Sequence, residues 1–224
     1  MIRCADDFGM NANINEAVLR LVENKRLNAV SVMVKKLDSI AAHKLAQQKN
    51  QIKIGLHLDL FSDVTVLVSR RRVRNEIRHQ INLFFLQFGF YPEFYDGHMH
   101  CHIYPVIRTE LLAAVLEHSE HNPFVRSLTL KPTLAKTTRL ISFLYLKLLG
   151  VMNGAFVRLL IERQIRTNQY VYGTFHAHRE FLSVYQMALT HADEQNSLLF
   201  CHPGMINEKE ALLRKLEYEL LSEI

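Results

Sequence analysis

The sequence predicts an α/β protein, an irregular (β/α) barrel of about seven strand-helix units, and three observations carry that prediction. Short apolar runs alternate with longer segments of helical period, the pattern of repeated strand-helix units around a parallel sheet. Unusual polar residues stand at the C-terminal ends of four of the runs: Asp6 and Asp7, His57, His98 with its followers, and His202. In barrels those ends converge on one mouth, where the chemistry sits. Third, the first strand meets Asp6-Asp7-Phe8-Gly9 and not the glycine-rich phosphate loop of a doubly wound sheet. An acidic pair is a poor phosphate cradle but a good cation or proton site.

The expected elements follow in order. Residues 2–5 form a first strand, and Ile14, Ala17, Val18, Leu21 and Val22 give residues 14–24 the spacing of a helix with one apolar face. The valine-rich run 29–34 is a strand, 39–48 a helix, and 52–57 a strand ending on His57. Helix 74–88 leads to strand 94–98, and helix 106–118 to strand 124–128. A long apolar helix over 138–166, strand 171–175, helix 180–191, strand 198–202 and helix 208–222 complete the series. No linker, repeat or low-complexity tract divides the chain, so residues 1–224 are expected to form a single domain.

Composition narrows the class further. With 224 residues, 49% of them apolar and 22% charged, the chain can bury a substantial core. A net charge of +5 permits anionic partners without requiring them, and no nucleic-acid partner is expected. Arg70, Arg71, Arg72, Arg74 and Arg78 read first as a solvated loop and helix start, and second as a phosphate-rich lipid or saccharide surface. Cys4, Cys101 and Cys201 are an odd number for a disulfide framework and suit a reducing compartment. With no charged and apolar leader ahead of Asp6, a cytoplasmic location is expected. The most apolar stretch, 140–161, is interrupted by Lys147, Asn153 and Arg158 and does not read as a transmembrane segment. It reads as a long helix, part core and part exposed, whose apolar face could meet a partner subunit or a lipid-like substrate.

The densest chemical signal is Asp96-Gly97-His98-Met99-His100-Cys101-His102. In an extended backbone side chains alternate, so His98, His100 and His102 are expected to project to one side of a strand. Imidazole is a frequent ligand of divalent transition metals. His57, in Gly55-Leu56-His57-Leu58, is either a satisfied core histidine or a ligand, and His202, in Cys201-His202-Pro203-Gly204, either acts as a general acid or contacts substrate, unless it is a structural turn residue. Asp6 and Asp7 cannot easily point the same way, so they are expected to divide roles, one as metal ligand and one as general base, unless the pair is a turn or helix cap. An Asp/His/His set would leave open positions for water and substrate, as catalytic metals require. His176 and His178 are read as peripheral.

Together these residues resemble the YdjC-like carbohydrate deacetylases, the family that includes chitooligosaccharide deacetylase and a hopanoid-biosynthesis deacetylase. The resemblance runs through Ala5-Asp6-Asp7-Phe8-Gly9 with Asn15, Ser31-Val32-Met33-Val34, Gly55-Leu56-His57-Leu58, Asp96 to His102 and His202-Pro203-Gly204, in that order over nearly the whole chain. It implies a polysaccharide-deacetylase-like barrel, one divalent metal ion (Mg or Zn) and hydrolysis of an N-acetyl group from an amino sugar, oligosaccharide or glycolipid. It also implies Asp7, His57 and His98 as metal ligands, Asp6 as base, His202 as a second catalytic group, and His100, His102 and Arg126 as substrate contacts. A homodimer is among the partners it implies. The segment 61–69, shorter than the family's usual one, passes quickly into the arginine run, and 140–161 is more apolar than a soluble oligosaccharide needs. With the arginine run, these features leave room for a lipid-linked glycan and peripheral membrane contact; the first reading is that the arginines are solvated and the helix is core or dimer interface. The competing expectations are a metal-dependent phosphoester hydrolase, which would bind two or more metals, and a non-catalytic glycan-binding relative.

Overall fold

The structure is a computed structural model that describes residues 1–62, 69–130, 140–173, 185, 188, 196–205 and 212–223. Its elements run β1 (Ile2–Phe8), α1 (Ala12–Glu23), β2 (Ala29–Val32), α2 (Ser39–Ala46), β3 (Lys53–Leu58), α3 (Arg70–Phe88), β4 (Phe94–Gly97), α4 (Pro105–Leu116), β5 (Phe124–Val125), α5 (Leu140–Glu162), β6 (Tyr170–Tyr172), β7 (Ser197–Cys201) and α6 (Leu212–Ser222). The sheet order is β5-β4-β3-β2-β1-β7-β6, with every pair parallel. Isolated parallel bridges, Phe124 to Arg166 and Leu130 to Val171, tie the β5 margin to the β6 margin. The sheet is therefore a curled, irregular barrel, as the strand-helix alternation predicts.

Each strand carries one row of side chains inward and one outward. The outward row packs with α1, α3 and α4 into the larger apolar cluster, which holds Ala5, Val30, Ile54, Leu56 and Tyr95. Inside the barrel lies a second cluster of Cys4, Ala29, Phe94, Phe124, Val171, Leu198 and Phe200, drawn from every strand except β3. β3 contributes Gly55 at this level because the Phe94 ring takes the space: a Cβ on Gly55 would lie 2.5 Å from it. Gly55→Ala should therefore destabilise the fold by about 1–3 kcal/mol through overpacking. Urea unfolding would measure this as a lower midpoint at unchanged slope.

Side-chain alternation turns this apolar plug into the floor of a polar layer. Two residues beyond Cys4, Ala29, Gly55, Phe94, Phe124 and Phe200 stand Asp6, Ser31, His57, Asp96, Arg126 and His202. All but His202 are at most 2% exposed.

The structure departs from the sequence-based boundaries in instructive places. β1 continues through the acidic pair to Phe8, because Asp6 and Asp7 are buried with charged partners and need no solvent. Helix α3 starts at Arg70, four residues before the expected start, capped by Ser69, whose side chain accepts from Arg72 N. Arg70 and Arg74 pair with Glu110, and Arg78 with Glu117, so these arginines fasten α3 to α4. In the long apolar helix, Asn153 is buried and accepts from Leu128 N at 2.7 Å, which explains an amide amid apolar residues. No helix among the described residues is long and apolar enough to cross a membrane. The expected helix 180–191 lies, apart from residues 185 and 188, outside the described residues, as do His176 and His178 and positions 63–68 of the segment before the arginine run.

Candidate metal centre

Asp7, His57 and His98, at the ends of β1, β3 and β4, bring one ligand atom each to within 4.8 Å of one another. Asp7 Oδ1 is the hub, 3.3 Å from His57 Nε2 and 2.9 Å from His98 Nδ1. The β1 register shifts between Ala5 and Phe8, and Asp7 adopts a left-handed φ of 64°. Such a bulge re-aims a side chain, and it lets adjacent carboxylates serve the same end of the sheet. Aspartate tolerates this backbone better than most residues.

The second oxygen of Asp7 accepts from Arg214 Nη2 at 2.6 Å. On the opposite ring edge of His57, Nδ1 donates to Asp96 Oδ1 at 2.6 Å, and the Ser31 hydroxyl donates to the same oxygen at 2.5 Å. A carboxylate behind a histidine fixes the ring and leaves Nε2 to face a metal. Burial alone would pull His57 down, but Asp96 and Asp6, with hydrogen bonds to Asp7 and Asp96, push it up to about 10. Asp7 is held well below the usual carboxylate range, since its bonds to His57 and His98 outweigh burial.

Asp6 stands beside this triad. Arg126 grips it with two parallel hydrogen bonds, Nη1 to Oδ2 at 2.7 Å and Nη2 to Oδ1 at 2.6 Å, and also pairs with Asp96. Burial would favour the neutral acid, but the Arg126 guanidinium overrides it and Asp6 stays ionised far below its ordinary range. Arg126 has no exposed surface, so the residue expected to touch substrate holds Asp6 and Asp96 from beneath. Cys4, Asp6 and Asp96 form a second cluster of potential ligand atoms. The Arg126 guanidinium lies among them, 3.3 Å from Cys4 Sγ, and supplies the positive charge there.

The expectation that His98, His100 and His102 line one face of a strand is corrected. β4 ends at Gly97, and His98–Ile103 coils in short helical turns with Met99 and His100 at φ 50° and 58°. Gly97 permits the reversal, since a Cβ there would lie 2.6 Å from Cys101 Sγ. Period two does not apply to a coiled segment, so the three imidazoles diverge. His98 joins the triad, His100 meets the Phe200 ring edge, and His102 is fully buried against Phe156. Burial and the Arg126 charge pull His100 down to about 3, and burial with the neighbouring His100 holds His102 well below its usual value. Both are neutral at physiological pH.

His202 follows β7 at the rim, with Nε2 4.0 Å from Asp6 Oδ2. Its backbone N–H donates to Glu217 on α6. His98, His202 and Arg214 have side chains 26%, 27% and 25% exposed, and they mark where the centre opens to solvent. Sequence reasoning assigned no part to Ser31, Asp96, Arg214 or Glu217. Asp96 carried a usable signal, a carboxylate at a strand end two residues before a candidate ligand histidine. Arg214 and Glu217 carried none, since both lie on a surface-patterned helix far along the chain.

The sequence profile of the YdjC-like protein family matches residues 1–223. No curated protein matches the chain at a significant level. Among solved structures, the chain is similar to an Enterococcus faecalis protein provisionally described as a cellobiose-phosphate cleavage protein, with a TM-score of 0.68 and 18% identity over 99% of this chain and 89% of that one. It is also similar to the Xyl-CE4 domain of a multidomain xylanase from the hindgut metagenome of Trinervitermes trinervoides, with a TM-score of 0.52 and 9% identity over 99% and 80% of the two chains. At these identities the likeness is one of fold, and the polysaccharide-deacetylase-like barrel expected from the sequence is the fold found.

Proposed function

We propose, from the premise that the chain belongs to the YdjC-like protein family, that it is a metal-dependent hydrolase removing acetyl from an N-acetylated amino sugar, oligosaccharide or glycolipid. One observation carries the reading: an Asp/His/His triad opens to solvent beside a separate carboxylate, paired with Arg126, and a rim imidazole. Two imidazoles and one carboxylate suit zinc or a similar transition metal better than magnesium, which prefers oxygen ligands and retained waters.

When bound by Asp7, His57 and His98, such an ion supplies a Lewis acid that polarises the acyl carbonyl and makes water at the site more acidic. The chain's own groups divide the remaining work. Asp6, kept ionised by Arg126, takes the proton of the attacking water. His202, near enough for one amide to meet both side chains, gives a proton to the departing amine. Asp96 and Ser31 hold the His57 ring so that Nε2 stays aimed inward.

A second reading, phosphoester hydrolysis, is prompted by the substrate named for the Enterococcus relative. Reactions of that class commonly use two metals between shared carboxylates. Here Arg126 lies among the only other ligand cluster found among the described residues, which favours deacetylation. Incubating the zinc-loaded protein with free and lipid-linked N-acetylated sugars and assaying acetate tests the proposal. Acetate from at least one sugar is expected; phosphate release from sugar phosphates without any acetate release would replace it with the second reading.

Metal binding should also release a proton. In the metal-free protein His57, at about 10, carries both ring protons at pH 7, and Nε2 must lose one to become a ligand. Calorimetry of zinc binding in buffers of different ionisation enthalpy should give about one proton released per ion, with affinity rising about tenfold per pH unit below pH 10. Absence of proton release would show that the His57 ring is already neutral in the metal-free protein.

A further inference from the structure

The helix α6 returns from the far end of the sequence to the mouth of the barrel and places two charged residues, three apart on one face, against the two halves of the centre. Arg214 donates Nη2 to Asp7 Oδ2 at 2.6 Å, leaving Oδ1 to face His57 and His98. Glu217, 5% exposed, accepts the backbone N–H of His202. The contact between helix and turn is close. Gly204 N donates to Arg214 O at 2.9 Å, Arg214 Nη1 reaches His202 O at 3.5 Å, and a Cβ on Gly204 would lie 3.0 Å from Arg214 Cβ. Leu221, one turn beyond Glu217, is fully buried and joins the larger apolar cluster.

We infer that α6 is a clasp in which Arg214 orients Asp7 as a one-oxygen metal ligand and Glu217 fixes the turn that carries His202. A single rigid helix thereby sets the spacing between the metal-binding and proton-transferring sides. Both are positioning residues. The inference rests on Asp7 being a metal ligand.

The alternative is that Arg214 is only a nearby cation, and the two roles predict opposite signs. A positive charge beside a metal site repels the ion, so removing a mere neighbour should tighten binding. Removing an orienting partner should weaken it, by the ~10–100-fold typical of groups that hold metal ligands in place.

Zinc ions titrated into the full-length metal-free protein decide between them, because calorimetry reads affinity without any turnover. Wild type is expected to bind most tightly and Arg214→Ala ~10–100-fold more weakly. Arg214→Lys, which keeps the charge and loses the fork, should fall between and guards against an alanine variant that fails to fold. Glu217→Ala should keep wild-type zinc affinity while kcat for acetate release falls at unchanged KM. Equal or tighter zinc binding by Arg214→Ala overturns the clasp and leaves the metal centre standing. Absence of zinc binding by the wild type overturns the metal centre and the clasp together.

Discussion

Replacing His57 with alanine is expected to abolish stoichiometric zinc binding and, with it, acetate release. His57 holds two positions at once: Nε2 faces Asp7 and Nδ1 is braced by Asp96. Its removal leaves two ligand residues where an open catalytic site uses three. The affinity loss should exceed the ~10–100-fold that accompanies loss of an outer partner, so dialysis against micromolar zinc should leave the variant empty and the wild type with one ion per chain. The fold should survive, since the polar layer keeps Arg126 between Asp6 and Asp96. Near-coincident far-UV circular dichroism spectra would show it. A folded His57→Ala protein retaining one zinc would remove His57 from the centre.

The triad was legible in sequence because strand ends in a parallel barrel converge whatever the details of the loops. Asp7, His57 and His98 each follow an apolar run, and the structure gathers them. The inward layer was legible in principle too, since Asp6, Ser31, His57, Asp96 and Arg126 each stand two residues past a buried small or aromatic residue. Applying that rule strand by strand would have placed Arg126 beneath Asp6 and not against substrate.

The rest was hidden for specific reasons. Left-handed backbone at Met99 and His100 broke the alternation on which a row of three imidazoles depended. Nothing in the local pattern announces two consecutive non-glycine residues at positive φ, which persist only where surrounding packing imposes them. Burying Asp6 and Asp7 within β1 depended on Arg126 and Arg214, more than one hundred residues away in sequence. Solvation logic ended the strand at Ala5 because the compensating charges are long-range. The arginine run reads first as solvated and second as a phosphate-rich surface, whereas Glu110 and Glu117 on α4 are the partners of Arg70, Arg74 and Arg78.

Asp6→Asn should leave zinc at one ion per chain while turnover falls by ~10²–10⁴-fold, the usual cost of losing a general base. The substitution is nearly isosteric, and Asp6 is not a member of the triad, so the ligands keep their geometry. It does remove one of the two carboxylates that neutralise the buried Arg126. Breaking a buried pair outright costs about 3–5 kcal/mol; with Asp96 still in place a smaller loss, seen as a lower Tm, is expected. The pH dependence separates the two roles. Because Arg126 holds Asp6 below its ordinary value, its carboxylate is ionised at neutral pH, and the stability it contributes is present above pH 3.8 and lost only as pH falls through its depressed value. The acid limb of the wild-type rate profile therefore belongs to another group, and Asp6→Asn should lower the whole profile without moving that limb. A variant with lowered Tm but near-normal turnover at 25 °C would make Asp6 a counter-ion for Arg126 and send the search for the base to His202.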